Sequence, residues 1–259
     1  VARRDRRHPL LGNHVQRQDR SWSVSDLEEL VEDAAVANQV ATAKSKKLIE
    51  LRRDMASVIG SDQANQAGGG GSGAAKCRGM GQWVLNSAQT NNPVPAGFRT
   101  PSASINTTAA ASFAESDVNG VLESIYSQTG TLENFKLFAG TSLKKEFSDF
   151  SRTGGSNGVY RVNEDVSTNK ITRNVLRYEG DFGTLDVITD LFLAKDGSAA
   201  SQGMRGYVIN PDLVEIAFAD GPSHYDLEDE GGGPRGFYKA WYTLRVKNPL
   251  GLGKFAATA

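Results

Sequence analysis

The longest regular pattern of apolar residues in the chain lies between Ser25 and Ile59 and has the period of an α-helix. Ser25 and Glu28 form a capping box at its start, and Gly60 is a favourable residue at which to end it. A helix of about 34 residues, at roughly 1.5 Å per residue, would be a rod of about 50 Å, so we expect a flat or elongated fold. A coiled coil is less favoured, because this stripe is rich in alanine and does not sustain leucines at the a and d positions over several heptads. The apolar positions recur at steps of three or four residues or multiples of them: Leu27, Leu30, Ala34, Ala37, Ala41, Leu48, Leu51, Met55 and Val58.

The charged residues of this predicted helix are distributed unevenly along it. Acids fill its first turns, where the helix dipole favours negative charge, and basic residues fill its later half. The acids are Glu28, Glu29, Glu32 and Asp33, and the basic residues are Lys44, Lys46, Lys47, Arg52 and Arg53, interrupted by Glu50 and Asp54.

The second half of the chain mixes helical and strand patterns. An apolar stripe from Val118 to Tyr126 predicts a helix that Gly130 ends; "FKLFAG" predicts a buried strand and "TSLKKEFSDF" another helix. From Lys170 onward the apolar period is two, as in β-strands. The strand positions form two sets, Leu185, Val187, Leu191 and Leu193, then Tyr238, Ala240, Tyr242, Leu244 and Val246. No regular βαβ alternation is present, so the fold class is α+β.

Within the last strand, alternation predicts which residues are buried. The residues expected to face inward are Tyr238, Ala240, Tyr242, Leu244 and Val246. Lys239, Thr243 and Arg245 should face solvent or a neighbouring molecule. Trp241 lies on that polar face, where a large aromatic side chain is either packed locally or contacts another subunit.

A glycine-rich stretch, "QAGGGGSGAAKCRG" at 66–79, follows the predicted long helix. It has the composition of a flexible linker between two modules, but one loop of a single architecture would also fit. The stretch contains the chain's one cysteine, Cys77, which excludes an internal disulfide and suits a reducing compartment.

Composition narrows the class of function. The 259 residues are 39% hydrophobic and 23% charged, as in ordinary globular proteins, and their apolar runs are too short to span a bilayer. A net charge of −1 argues against a general nucleic-acid binder. The charge is locally uneven, however: Val1–Arg20 contains six arginines, and Asp226–Glu230 contains four acids in five residues.

We find no motif for catalysis or for a cofactor. His8, His14 and His224 lack the spacing of a zinc site, the glycine-rich stretch lacks the lysine of a phosphate loop, and no nucleophile elbow occurs. The sequence therefore predicts no catalytic, cofactor-binding or metal site, and it favours a structural or assembly protein over an enzyme.

The order of segments resembles tailed-phage major capsid proteins of the Hong-Kong-97-like fold. The resemblance covers most of Gly12 to Phe255, and its most specific pieces are "YEGDFGTLDVI" and "YTLRVKNPLGLGKF". Other similar stretches are "LGNHVQRQDRSWSVS", "KSKKLIELRRDMASVIGSDQANQ", "FKLFAGTSLKKEFSDF" and "GYVINPDLVEIAF". The family has an N-terminal arm and an outgoing strand before the point where this chain starts. These segments would have been removed by maturation proteolysis, or they are not included in this sequence. The stretch "DEGGGPRG" does not match the family pattern.

The resemblance implies a domain organisation. Residues 1–23 would be the end of the extended loop and a basic arm, and 24–97 a peripheral domain with a long spine helix. Residues 98–235 would form the axial domain, and 236–259 the return strand of the peripheral domain and the C-terminus. The glycine-rich stretch would then be a loop inside the peripheral domain.

The resemblance also implies a function. The chain would be a major capsid protein that self-assembles as hexamers and pentamers into an icosahedral shell around double-stranded DNA. Expected partners are copies of itself, DNA on the inner face, and portal and decoration proteins, with no membrane and no cofactor. The shell would be part of the virion and would assemble in the host cytoplasm. The alternative is an encapsulin-type nanocompartment, which encloses protein cargo.

The residues expected at contacts between subunits come from the two charge clusters and the exposed aromatic position. In the resembled family the N-terminal segment reaches beyond its own subunit, so its arginines should pair with carboxylates of a neighbour, or alternatively with DNA phosphates. The candidate contact residues are Arg3, Arg4, Arg6, Arg7, Trp241, Asp226, Glu228, Asp229 and Glu230.

Overall fold

The structure is a computed structural model that describes residues 11–30, 38–69, 73–89, 91–109, 112–131, 133–150, 164–165, 170–171, 176–194 and 202–256. It divides into two compact units. We call Gly12–Gly79 with Ile216–Arg245 the helix unit, and Met80–Glu215 with Val246–Ala259 the sheet unit.

Helices and strands alternate irregularly along the chain. The helices are α1 (Asp26–Leu30), α2 (Gln39–Gly60), α3 (Met80–Trp83), α4 (Glu115–Thr129) and α5 (Thr141–Phe150). The strands are β1 (Gln16–Ser23), β2 (Ile105–Asn106), β3 (Phe135–Ala139), β4 (Glu164–Asp165), β5 (Lys170–Ile171), β6 (Arg177–Gly180), β7 (Gly183–Thr189), β8 (Gly206–Ile209), β9 (Val214–Leu227), β10 (Arg235–Val246) and β11 (Gly253–Phe255). The α+β class is confirmed.

The strands of the described residues form three sheets. The order in the largest is β2-β11-β8-β3-β7-β6, and β1-β10-β9 form a three-stranded sheet. β4 and β5 pair with each other. β3 pairs in parallel with β7 and antiparallel with β8, which places it inside the six-stranded sheet.

The unit boundaries differ from the predicted domain boundaries. Residues 80–97 and the return segment from Val246 onward belong to the sheet unit, and 216–235 belong to the helix unit. The physical reason is that the division falls inside two long strands, β9 and β10. Composition marks loops and linkers, but it carries no mark of a division within a continuous strand.

The predicted long helix is interrupted, so the prediction of one helix over 25–59 is wrong. Asn38 has an extended backbone (φ −151°, ψ 99°), and its side-chain oxygen accepts the N–H of Ala41 at 2.8 Å, which makes Asn38 the N-cap of α2. α2 has 22 residues and is therefore about 33 Å long, not about 50 Å. The predicted start is confirmed, because the Ser25 hydroxyl accepts the N–H of Glu28.

The core of the helix unit lies between α2 and its sheet. It consists of Leu51, Met55, Cys77, Ala240 and Tyr242, with Val58, Ile59 and Tyr238 packed at its margin. Leu27 and Ala41, which the apolar stripe included, are exposed. The stripe predicted the buried face correctly in the second half of α2, at Leu51, Met55 and Val58, whereas Ala34 and Ala37 lie outside the described residues.

The glycine-rich stretch is a closed loop within the helix unit and not a tether between modules. Gln66 and Lys76 exchange two backbone hydrogen bonds of 3.0 Å at its base. Gly79 then approaches the end of α2 so closely that a Cβ there would lie 2.3 Å from the Ser61 carbonyl oxygen. Only glycine fits this return of the chain.

The core of the sheet unit is built on β3. Phe135, Leu137 and Ala139 of that strand are buried, as "FKLFAG" predicted. α4 and α5 pack their apolar faces against the same cluster, whose other members are Val118, Val121, Leu122, Ile125, Leu143, Phe147, Leu185, Val187, Met204, Val208 and Phe255. The prediction that Leu191 is a strand position is wrong, because this residue follows the end of β7 and is 59% exposed.

Candidate assembly surface

The four acids at 226–230, which we call the acidic turn, end β9 and begin its connection to β10. Asp229 organises this connection, because its Oδ1 accepts the N–H groups of Gly231 at 2.9 Å, Gly232 at 3.1 Å and Gly233 at 3.2 Å. These bonds, that of Gly231 first, lower the pKa of Asp229. Its carboxylate therefore stabilises the turn of its own chain.

Two further acids of the turn pair with cations of the same chain. Glu230 Oε2 lies 2.8 Å from Arg235 Nη2, and Asp226 Oδ1 lies 3.4 Å from Lys44 Nζ on α2. Arg235 also donates to the backbone carbonyl of Glu228 at 2.9 Å. The Glu228 carboxylate itself has no ion-pair partner among the residues that the structure describes.

An aromatic cluster joins the acidic turn to β1. Trp22 is 4% exposed, and its indole N–H donates to His224 Nε2 at 3.2 Å. The two rings stack with centroids 5.8 Å apart, and Lys44 Nζ lies 4.8 Å from the centroid of the Trp22 ring. His224 Nε2 also lies 3.4 Å from Asp226 Oδ1. Sequence reasoning missed Trp22 and Lys44, which lie 202 and 182 residues from their partners and carry no local signal of contact. It also missed Arg235, which is close to Glu230 in sequence but meets it only because the turn brings the ends of β9 and β10 together.

The expected alternation of β10 is confirmed. Ala240, Tyr242, Leu244 and Val246 are buried, and Tyr238 is half-buried. Arg245 is exposed on the opposite face, where Lys239, Trp241 and Thr243 are half-buried.

Of the predicted contact residues, the structure brings only the acids together. Trp241 lies on β10 opposite Arg17 of β1, away from the acidic turn in the register. Arg3, Arg4, Arg6 and Arg7 lie outside the described residues. Their pairing with carboxylates of a neighbour stays a prediction.

α2 presents one exposed side, which we call the outward face: Ser45, Lys46, Ile49, Arg52, Arg53, Ala56 and Ser57. Its two acids are already paired, Asp54 with Arg20 of β1 and Glu50 with Lys47 at 2.7 Å. Lys46, Arg52 and Arg53 therefore remain as cations with no carboxylate within 4.0 Å in the described part of the chain.

The described residues show no grouping of side chains suited to a metal ion. Within the same residues, no helix has the length and apolar character needed to span a membrane.

Cys77, the chain's single thiol, is fully buried, and burial raises its pKa to about 11 from the ordinary 9.0. Folding thus favours the neutral thiol, and this contribution to stability is complete below about pH 9 and is lost as pH rises through about 11. We expect the difference in unfolding free energy between the wild type and Cys77→Ala to be constant from about pH 6 to 8 and to shrink from about pH 9 to 11. Urea denaturation across this range measures it; parallel pH profiles for the two proteins would contradict the expectation.

Comparison with protein families identifies the family to which this chain belongs. The model of the SU10 major capsid protein family matches residues 2–259. The chain belongs to the SU10 major capsid protein family. No curated protein sequence matches the chain.

Solved structures similar to this SU10-family chain are phage and particle capsids. The capsid of an empty GTA particle has a TM-score of 0.57 and 14% identity over 95% of this chain and 74% of that one. The Cyanophage Pam1 capsid has a TM-score of 0.53 and 12% identity over 99% and 82%. A Gordonia phage Cozz structure has a TM-score of 0.53 and 14% identity over 95% and 71%. At such identities these likenesses show the fold alone, and they confirm the Hong-Kong-97-like fold.

This SU10-family chain is therefore a capsid shell subunit, and copies of it assemble into the shell of the virion. The family is structural, in agreement with the expectation of an assembly protein. The encapsulin alternative is disfavoured by the family match.

Proposed function

We propose that this capsid subunit forms pentamers and hexamers that close around double-stranded DNA, without catalysing a reaction. The observation that carries the proposal is the family match over residues 2–259. Closed symmetric shells need only complementary surfaces repeated by rotation, and no active site. Portal and decoration proteins would be further partners of the shell, which would assemble in the host cytoplasm.

In this proposal the helix unit is the peripheral domain, with α2 as its spine helix, and the sheet unit is the axial domain. The assignment is supported by the packing of α2 on β10 in one unit and by the six-stranded sheet in the other. The basic arm would reach a neighbouring copy through Arg3, Arg4, Arg6 and Arg7. Glu228, which lacks an ion-pair partner among the described residues, is the member of the acidic turn best placed to receive it.

The proposal is tested by producing the full chain and examining it by electron microscopy, with and without the phage's packaging components. We expect closed shells of uniform size, and nuclease-protected double-stranded DNA only when packaging is present. Discrete monomers or small oligomers would contradict a shell function. Shells that enclose protein cargo and no DNA would instead support the encapsulin reading.

Two further variants test the arm and Trp241. Reversal of the charges of Arg3, Arg4, Arg6 and Arg7 should lower the yield of empty shells as much as that of filled ones, because the partner is another subunit. A loss confined to DNA-filled particles would assign the arm to DNA. Trp241→Ala should likewise reduce shell yield. Because the side chain is half-buried, its truncation should also lower the unfolding free energy of the free chain by about 1–3 kcal/mol, so shell yield is compared at a temperature at which the variant is fully folded.

A further inference from the structure

We propose that the outward face of α2 binds the phosphodiester backbone of the enclosed nucleic acid through Lys46, Arg52 and Arg53. The inference rests on the proposed function, because it takes the shell content to be double-stranded DNA. It assigns that DNA a contact surface on a particular helix.

The charge pairing of α2 is the first support. Lys44 pairs with Asp226, Lys47 with Glu50, and Asp54 with Arg20. Every carboxylate of α2 is thereby engaged by another cation. The outward face retains three positive charges that no described carboxylate neutralises, although the whole chain has a net charge of −1.

The helix dipole does not account for these cations. Basic residues stabilise a helix when they lie in its last turn, next to the free carbonyl groups. α2 ends at Gly60 and has no basic residue in its last turn. Arg52 and Arg53 lie about two turns before that end, where the dipole contributes little.

The geometry of the outward face suits an extended polyanion. Lys46 and Arg53 are seven residues apart, which is two turns or about 10 Å along the helix. The exposed side chains around them are mostly small, Ser45, Ala56 and Ser57, so a phosphate backbone can approach closely. Duplex DNA carries a charge about every 1.7 Å of its axis, and guanidinium groups bind phosphate through two parallel hydrogen bonds.

The test measures the salt dependence of DNA binding by the full chain before assembly. The probe is a fluorescein-labelled duplex of about 30 base pairs, titrated at several salt concentrations between about 50 and 200 mM. The variant carries Lys46→Gln, Arg52→Gln and Arg53→Gln, since glutamine keeps helix propensity. The matched control removes three charges elsewhere, by Lys136→Gln, Lys145→Gln and Lys239→Gln.

We expect the plot of log K against log salt to become shallower by about 2.7 in the helix variant, at about 0.9 per phosphate contact, and the control to match the wild type. If circular dichroism shows that the triple variant does not fold, Arg53→Gln alone should make the plot of log K against log salt shallower by about 0.9. Equal slopes in the wild type and the helix variant, or equal losses in both triple variants, would overturn the inference.

Shell formation is measured in parallel and separates this inference from the proposed function. A wild type that makes closed shells but shows no α2-dependent salt slope contradicts only the DNA surface. A helix variant that binds DNA normally but no longer forms shells would assign the outward face to a second copy of the chain, and the inference would be wrong. A wild type that forms no shells contradicts the proposed function, whatever the slope.

Discussion

Ser45→Pro is expected to destabilise the helix unit by about 3 kcal/mol or more and to abolish normal shells. Ser45 lies within α2 on its exposed outward face, so the substitution removes no core contact. Proline lacks the N–H that bonds to the carbonyl of Ala41, and its ring clashes with that carbonyl. Because a whole domain is stable by only about 5–15 kcal/mol, this is a large fraction of the total.

Two control variants separate the backbone effect from the side chain. Ser45→Ala should leave stability unchanged or raise it slightly, because alanine is the better helix former. Ala41→Pro should cost only about 1 kcal/mol, since the Ala41 N–H bonds the Asn38 cap and not a helix carbonyl. Denaturation of the purified chain gives the energies, and electron microscopy gives the shell yield. Wild-type particles from Ser45→Pro would show that α2 need not be intact for assembly.

Leu137→Ala is expected to cost about 2–5 kcal/mol in the sheet unit. Leu137 is 0% exposed on β3, between β7 and β8. Truncation to alanine removes the isopropyl group and leaves a cavity that surrounding strands cannot close without breaking their pairing. The control, Ile188→Ala, changes a residue of β7 that is 39% exposed, so its cost should be below about 1 kcal/mol. Comparable losses in the two variants would mean that β3 is not the packing centre.

The extent of sequence prediction depended on how local each signal was. The alternation of β10 and the strand at "FKLFAG" were predictable, because a side chain's face follows from its position in a regular strand. The break in the long helix was not, because the apolar stripe continues past Asn38 with nearly the helical period. The evidence lay in one residue type: asparagine is favoured as an N-cap and tolerated within a helix only at a cost.

The candidate surface was less predictable than the fold. Composition located the acidic turn, but it gave no way to see that Asp226 meets Lys44 or that Glu230 meets Arg235. Lys46, Arg52 and Arg53 were recognised as basic residues of a helix, yet their importance arises from the engagement of Glu50 and Asp54 by other cations. The charge balance of a surface depends on which side chains the fold brings together, and the number of acidic and basic residues along the sequence does not determine it.

The closed base of the glycine-rich loop makes this segment a natural insertion site for foreign peptides. The backbone bonds of Gln66 with Lys76, and that of Gly69 with the carbonyl of Gly73 at 3.2 Å, hold the two ends of the loop together. Each doubling of a loop's length costs only about 0.6 kcal/mol in closure entropy. An epitope placed between Gly69 and Gly73 would therefore leave the α2 core intact, and every subunit of an assembled particle would carry one copy at the same place.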